Sequence, residues 1–140
     1  MRNSLQVSLP AVPVSVRKAR EAVADVAAGL GSSSSVVDAV RLCVSEAATN
    51  VVRHAYLNGA GEIRISVAGT DSELTVVVGD DGVGLTRFHQ EGELGYGLRI
   101  IEELAQRLSI TSAPNHGTEL QMVFALDGAA ATGIDATRSA

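Results

Sequence analysis

The sequence predicts an α+β fold: a two-layer sandwich in which one mixed, mostly antiparallel sheet is covered on a single face by about three helices. Two observations carry this expectation. Short segments near the start, middle and end of the chain alternate apolar with polar residues, while three others space their apolar residues helically. The segments run strand, helix, helix, strand, strand, loop, helix, strand, strand, which is not the strict βαβ alternation of a parallel sheet.

Leu5, Val7 and Leu9 alternate with Ser4, Gln6 and Ser8, the period of a half-buried strand, and Pro10 stops it. From about Pro13 the apolar positions shift to Val16, Ala19, Val23, Val26, Ala27 and Leu30, one stripe of a helix that Gly29 and Gly31 end. The serines from Ser32 to Ser35 offer N-caps to a second helix, whose stripe is Val37, Val40, Val44, Ala47, Ala48, Val51 and Ala55 and which runs to about Tyr56. Asn58-Gly59 and Gly61 turn the chain into a strand marked by Ile63, Ile65 and Val67. A second turn, Thr70-Asp71-Ser72, leads to the more continuously apolar strand Leu74 to Val78, of the kind found inside a sheet. Asp80 to Glu93 lacks periodicity and reads as a loop. A third helix starts near Gly97, with Leu98, Ile101, Leu104, Ala105 and Leu108 facing the core. Ser109 to Ser112 and Thr118 to Leu126 complete the sheet, joined through Pro114-Asn115-His116-Gly117. One domain is expected over residues 1–126, followed by a disordered tail over 127–140, whose Ala, Gly, Thr and Ser have nothing to bury.

Composition narrows the function classes. With 46% hydrophobic and 19% charged residues in 140, the chain has enough to form a core without disulfides or a structural metal. The net charge of −5, with no Lys/Arg run, argues against nucleic acid or an anionic membrane as partner, so any phosphate must be held locally. Cys43 is the single cysteine, which suits a reducing cytoplasm. No segment has the apolar length of a bilayer span or a signal peptide.

Four short motifs carry chemistry. Glu46 and Asn50, in Ser45-Glu-Ala-Ala-Thr-Asn-Val-Val-Arg-His-Ala-Tyr56, stand four apart on a helix and project over one patch, where they present two oxygen donors suited to a hard cation and to polarising a hydroxyl. Asp80-Asp81-Gly82-Val83-Gly84 follows an apolar strand, so a carboxylate at the strand's end can accept from an exocyclic amine while glycines admit a flat ring. Gly95-Tyr96-Gly97 precedes a helix, whose unpaired N–H groups suit phosphate. Gly117-Thr118 opens the last strand. Each has a blander counterpart: a solvated polar pair, an acidic turn, a flexible helix entry, a hairpin turn. The ordered set is what coincidence does not supply.

In that order the motifs resemble the N box, the two glycine boxes and the terminal Gly-Thr motif of the GHKL ATPases, over roughly Asp38 to Phe124. Within that superfamily the short chain and the phrase Ser-Glu-Ala-x-Thr-Asn-x-x-x-His-Ala-Tyr look most like the bacterial anti-sigma-factor serine/threonine kinases. The resemblance implies that ATP and Mg²⁺ are bound, with Asn50 as metal ligand, Glu46 as general base and Asp80 recognising adenine. Gly82, Gly84, Gly95, Tyr96, Gly97 and Leu98 would line the nucleotide, and Thr118 would support the adenine carboxylate. It further implies transfer of the γ-phosphoryl group to a serine or threonine of an anti-anti-sigma protein, sequestration of a sigma factor, a cytoplasmic location and a homodimer.

Only ten residues, Leu85 to Leu94, separate the glycine boxes, which is short beside most members. Thr86, Arg87 and His89 are the residues there able to touch phosphate, Glu91 and Glu93 would repel it, and weak nucleotide retention is expected. A regulatory binding module with the fold but little phosphoryl transfer therefore stands as the alternative to the enzyme. A detached histidine-kinase catalytic domain fits less well, because no helix bearing a phosphoacceptor histidine is visible. His54, Cys43, Arg20 and Arg99 are read as structural or solvated and receive no chemistry.

Overall fold

The computed structural model describes residues 4–57, 60–84 and 95–126. Strand β1 (Ser4–Pro10) leads to helix α1 (Pro13–Gly29), helix α2 (Ser34–Asn50), a π-helical turn (Val51–Ala55), strands β2 (Glu62–Gly69) and β3 (Glu73–Asp80), helix α3 (Gly95–Leu104), and strands β4 (Arg107–Ser112) and β5 (Thr118–Ala125). The sheet order is β1-β2-β3-β5-β4, and all four pairings are antiparallel. The α+β class and the two layers agree with the sequence, and the sheet carries no parallel pair among the described strands.

Register puts every inward apolar residue on one face. Leu5, Val7 and Leu9 of β1 oppose Val67, Ile65 and Ile63 of β2; Val67 and Ile65 oppose Val76 and Val78 of β3; Leu74, Val76 and Val78 oppose Phe124, Met122 and Leu120 of β5. A one-residue slip would turn this whole set to solvent. Ile63, Leu74 and Met122 are fully buried, each worth about 1.5–3 kcal/mol relative to exposure. The opposite face carries Gln6, Ser8, Arg64, Ser66, Gln121 and Glu119.

The helices cover the apolar face. Proline at the start of α1 occupies a position where its missing N–H costs nothing. Ser33 caps α2, its hydroxyl accepting from the Val36 N–H at 3.3 Å. All seven stripe residues expected on the second helix are buried, and Cys43 joins them. Burial, with a smaller contribution from Glu46, pushes the Cys43 thiol up to about 12. Ile101 anchors α3 in the same core.

The third helix is shorter than expected. It ends at Leu104, which is 42% exposed, and Leu108 belongs to β4, where it faces Met122. The spacing of Leu104, Ala105 and Leu108 reads as helical, but the Gln106 N–H donates to the Val123 carbonyl at 2.7 Å and draws the chain into the sheet two residues early. Leu126 closes the described fold, its N–H bonded to the Ser72 carbonyl; the tail expected over 127–140 lies outside the described residues. Among the described residues no helix is long and apolar enough to cross a membrane.

Candidate functional site

Helix α2 runs under the sheet so that its C-terminal end meets the ends of β3 and β5. Asp80 is the last residue of β3 and stands directly opposite Thr118, the first of β5. Because Asp80 continues the inward face of Leu74, Val76 and Val78, its carboxylate is buried, only 6% exposed. Desolvation raises its pKa above the usual carboxylate range, neighbouring Asp81 adds to this, and main-chain hydrogen bonds from Gly82 and Thr118 together with Arg64 oppose it. One oxygen, Oδ1, accepts the Gly82 N–H at 2.8 Å. Thr118 is also buried, its hydroxyl 2.9 Å from that of Ser112.

Asn50, Val51, His54, Ala55, Val78, Asp80, Gly84, Thr118 and Leu120 line one hollow. Polar side chains from both layers, Asn50 and His54 from the helical layer and Asp80 and Thr118 from the sheet, thus face a common space whose other walls are largely aliphatic, the composition of a site for a flat, mostly apolar ring with a polar edge. Its free volume is about 20 Å³, room for a single water. The Asn50 Nδ2 is buried and has no hydrogen-bond partner among the described residues. A buried amide left so costs free energy unless a ligand or water completes it.

The first turn of α3 closes one side. A Cβ on Gly97 would lie 3.0 Å from Glu46 Oε1 and 3.6 Å from both Asn50 Oδ1 and Nδ2, so Gly97 admits both side chains where another residue would crowd them. Glu46 stands one turn before Asn50, half-buried and outside the hollow itself. Gly95 begins α3. Tyr96 points to solvent, 82% exposed, and Leu98 packs against the core.

The segment after Asp80 is held by main-chain bonds. A Cβ on Gly82 would strike the Ala55 carbonyl, the same carbonyl that accepts the Val83 N–H at 2.9 Å. Gly117 donates to the Gly82 carbonyl at 3.0 Å and has φ +82, with the Asp80 carbonyl where its Cβ would be, so only glycine fits. Gly84, in the hollow wall, also has positive φ.

The structure therefore gathers Asn50, Asp80, Gly84 and Thr118 around one space and sets Glu46 and Gly97 beside Asn50. Gly82 supports the site from behind, while Tyr96 and Leu98 point elsewhere. Thr86, Arg87, His89, Glu91 and Glu93 lie outside the described residues. His54 lines the hollow although it was assigned no chemistry; its spacing of four from Asn50, like that of Asn50 from Glu46, was the available signal. The π-helical turn that carries His54 was not visible in sequence, and such widened turns are frequent at functional sites. Among the described residues no three His, Cys, Asp or Glu side chains cluster as a metal site, so a cation would depend on Asn50 and on oxygens from a ligand.

The family described as "Histidine kinase-like ATPase domain" matches residues 9–124. A Bacillus licheniformis protein named "Anti-sigma F factor" is 31% identical over 134 residues, covering 87% of this chain and 92% of its own. The protein of that name from Clostridium acetobutylicum is 28% identical over 133 residues, covering 87% and 93%. Among solved structures, the RsbU and RsbW domains of a Mycobacterium tuberculosis protein superpose with a TM-score of 0.71 at 23% identity, over 88% of this chain and 32% of that longer one, a likeness of fold. The family that the four motifs resembled is the family found, and the chain belongs to the histidine kinase-like ATPase domains.

Proposed function

We propose that this chain is an ATP-dependent protein serine/threonine kinase that phosphorylates an anti-anti-sigma protein and, in its other role, sequesters a sigma factor. Family membership supports nucleotide binding, and the relatives named anti-sigma F factor support the regulatory setting. The observation that carries the reading is the shared hollow: Asp80 from β3 and Asn50 from α2 face one space, with Glu46 beside Asn50 across Gly97.

The residues present fit a magnesium nucleotide. With no partner holding its Nδ2 among the described residues, the Asn50 amide can turn its oxygen toward a cation. The Asp80 Oδ1 is engaged by the Gly82 N–H, and the buried carboxylate would accept from the exocyclic amine of adenine. The bound magnesium nucleotide would supply the phosphoryl group and neutralise its charge. Glu46 would take the proton of the attacking serine or threonine hydroxyl as its oxygen bonds to the γ-phosphorus and ADP leaves with the bridging oxygen. The N–H groups of the first turn of α3, freed of side chains at Gly95 and Gly97, would hold phosphate oxygens.

The test is transfer from γ-labelled ATP and Mg²⁺ to candidate anti-anti-sigma proteins. Label should appear on serine or threonine, and Glu46→Ala should abolish it while sparing nucleotide binding. The short stretch between the glycine boxes, Leu85 to Leu94, favours one second reading, a binding module with little transfer; ATP binding without label on any candidate would select it.

A further inference from the structure

Tyr56, next in the chain to Ala55 of the hollow wall, ties three parts of the fold together. It ends the π-helical turn in extended backbone, and its ring lies over Gly61, where a Cβ would meet the ring carbons. Its hydroxyl donates to the Glu62 carbonyl at 2.7 Å and accepts the Asp81 N–H at 2.9 Å. The three successive N–H groups after Asp80 are thus all engaged: Asp81 by the Tyr56 hydroxyl, Gly82 by the Asp80 carboxylate, Val83 by the Ala55 carbonyl. Residues 55 and 56 hold two of these directly. The third depends on them, because Gly82 sits between the two fixed peptides and its N–H, with the Thr118 main chain, orients the Asp80 carboxylate.

We propose that Tyr56 is a positioning residue for base selection: its hydroxyl fixes the Asp81 peptide, and through it the orientation in which Asp80 presents its carboxylate to the exocyclic amine of adenine. The inference rests on the reading of Asp80 as the adenine acceptor. The Arg64–Asp81 ion pair at 2.8 Å also holds this segment, but both partners are largely exposed, so solvent screens it. The phenol, by contrast, bonds main chain on both sides. Phenylalanine keeps the ring over Gly61 and removes only the hydroxyl.

The experiment measures dissociation constants of ATP and GTP for the unmodified chain, Tyr56→Phe and Asp80→Asn, with thermal midpoints recorded alongside. Tyr56→Phe should weaken ATP about three- to tenfold, the worth of one ordinary hydrogen bond, and GTP less, so that the ATP/GTP preference shrinks. Asp80→Asn should shrink it as well. A shrunken preference in Asp80→Asn with an unchanged one in Tyr56→Phe overturns the role of Tyr56, even if the midpoint falls. An unchanged preference in Asp80→Asn overturns the adenine reading beneath it. In the unmodified chain, which needs no variant to fold, ATP should slow hydrogen exchange of the Asp81 amide more than GTP does. Equal exchange with the two nucleotides overturns the proposal.

Discussion

Replacing Gly97 by alanine separates what the first turn of α3 does for stability from what it does for chemistry. The added Cβ would stand 3.0 Å from Glu46 Oε1, a few tenths of an ångström inside ordinary contact, and 3.6 Å from both polar atoms of Asn50, which is comfortable. Nothing else approaches more closely, and the atom that must yield is the far end of a flexible, half-buried side chain. The folded state therefore loses little, while alanine in a helix gains about 0.5–1 kcal/mol over glycine. The thermal midpoint should hold or rise by about 1–4 °C. Phosphoryl transfer should respond differently, because the proposed base Glu46 is displaced, and small misplacements of a reacting group cost up to about 10²-fold. Alanine over this turn would also narrow the approach of phosphate to its N–H groups. Single-turnover transfer from labelled ATP, run beside thermal unfolding, should show a raised or unchanged midpoint with transfer reduced about 10- to 100-fold. Unchanged transfer in the stably folded variant would refute the placement of Glu46 and Gly97 at the reacting phosphate.

Gly82→Ala should instead destabilise the fold by about 2 kcal/mol or more, since its Cβ meets the Ala55 carbonyl and both sides are main chain; a midpoint equal to that of the unmodified chain would contradict this. Asp80 gives opposite pH dependences for stability and binding. Its folded pKa lies above the unfolded one, so the unfolded chain releases this proton first and stability contributed by the protonated carboxyl is lost as pH rises through the folded pKa. The midpoint of Asp80→Asn relative to the unmodified chain should therefore increase with pH across that interval. ATP affinity of the unmodified chain should fall as pH drops through the raised pKa, because the neutral acid accepts less well; a titration of affinity checks it. Cys43, buried and with its thiol pushed up to about 12, should resist a thiol reagent at pH 8 in the native state and react only on unfolding.

Much of the fold is legible because burial imposes a period. The stripe from Val37 to Ala55 could be read from spacing, and each of its seven members is buried. The strands β2, β3 and β5 declare themselves through Ile63, Val76 and Met122 and their alternating or continuous neighbours. What could not be read was decided between distant segments. Helix α3 yields to β4 because a main-chain bond from Gln106 to Val123 outweighs a helical spacing, and no local pattern reports that bond. The widened turn at Val51–Ala55 has no residue signature; it brings the Ala55 carbonyl and the Tyr56 hydroxyl to residues 81–83 of another strand's end. The site shows the same division. Asn50, Asp80 and Thr118 were visible as motif members, whereas His54 and the aliphatic walls Val78 and Leu120 became part of the site only through the sheet's register and the placement of α2 beneath it.

The central claim, that these separated segments hold one nucleotide, is tested most directly by an experimental structure of the chain with ADP and Mg²⁺. The account predicts the adenine amine against Asp80 between Val78, Leu120 and Thr118, the metal beside Asn50, and the phosphates at the first turn of α3. A nucleotide bound on another surface, or base and metal that do not share the space between Asp80 and Asn50, would contradict it.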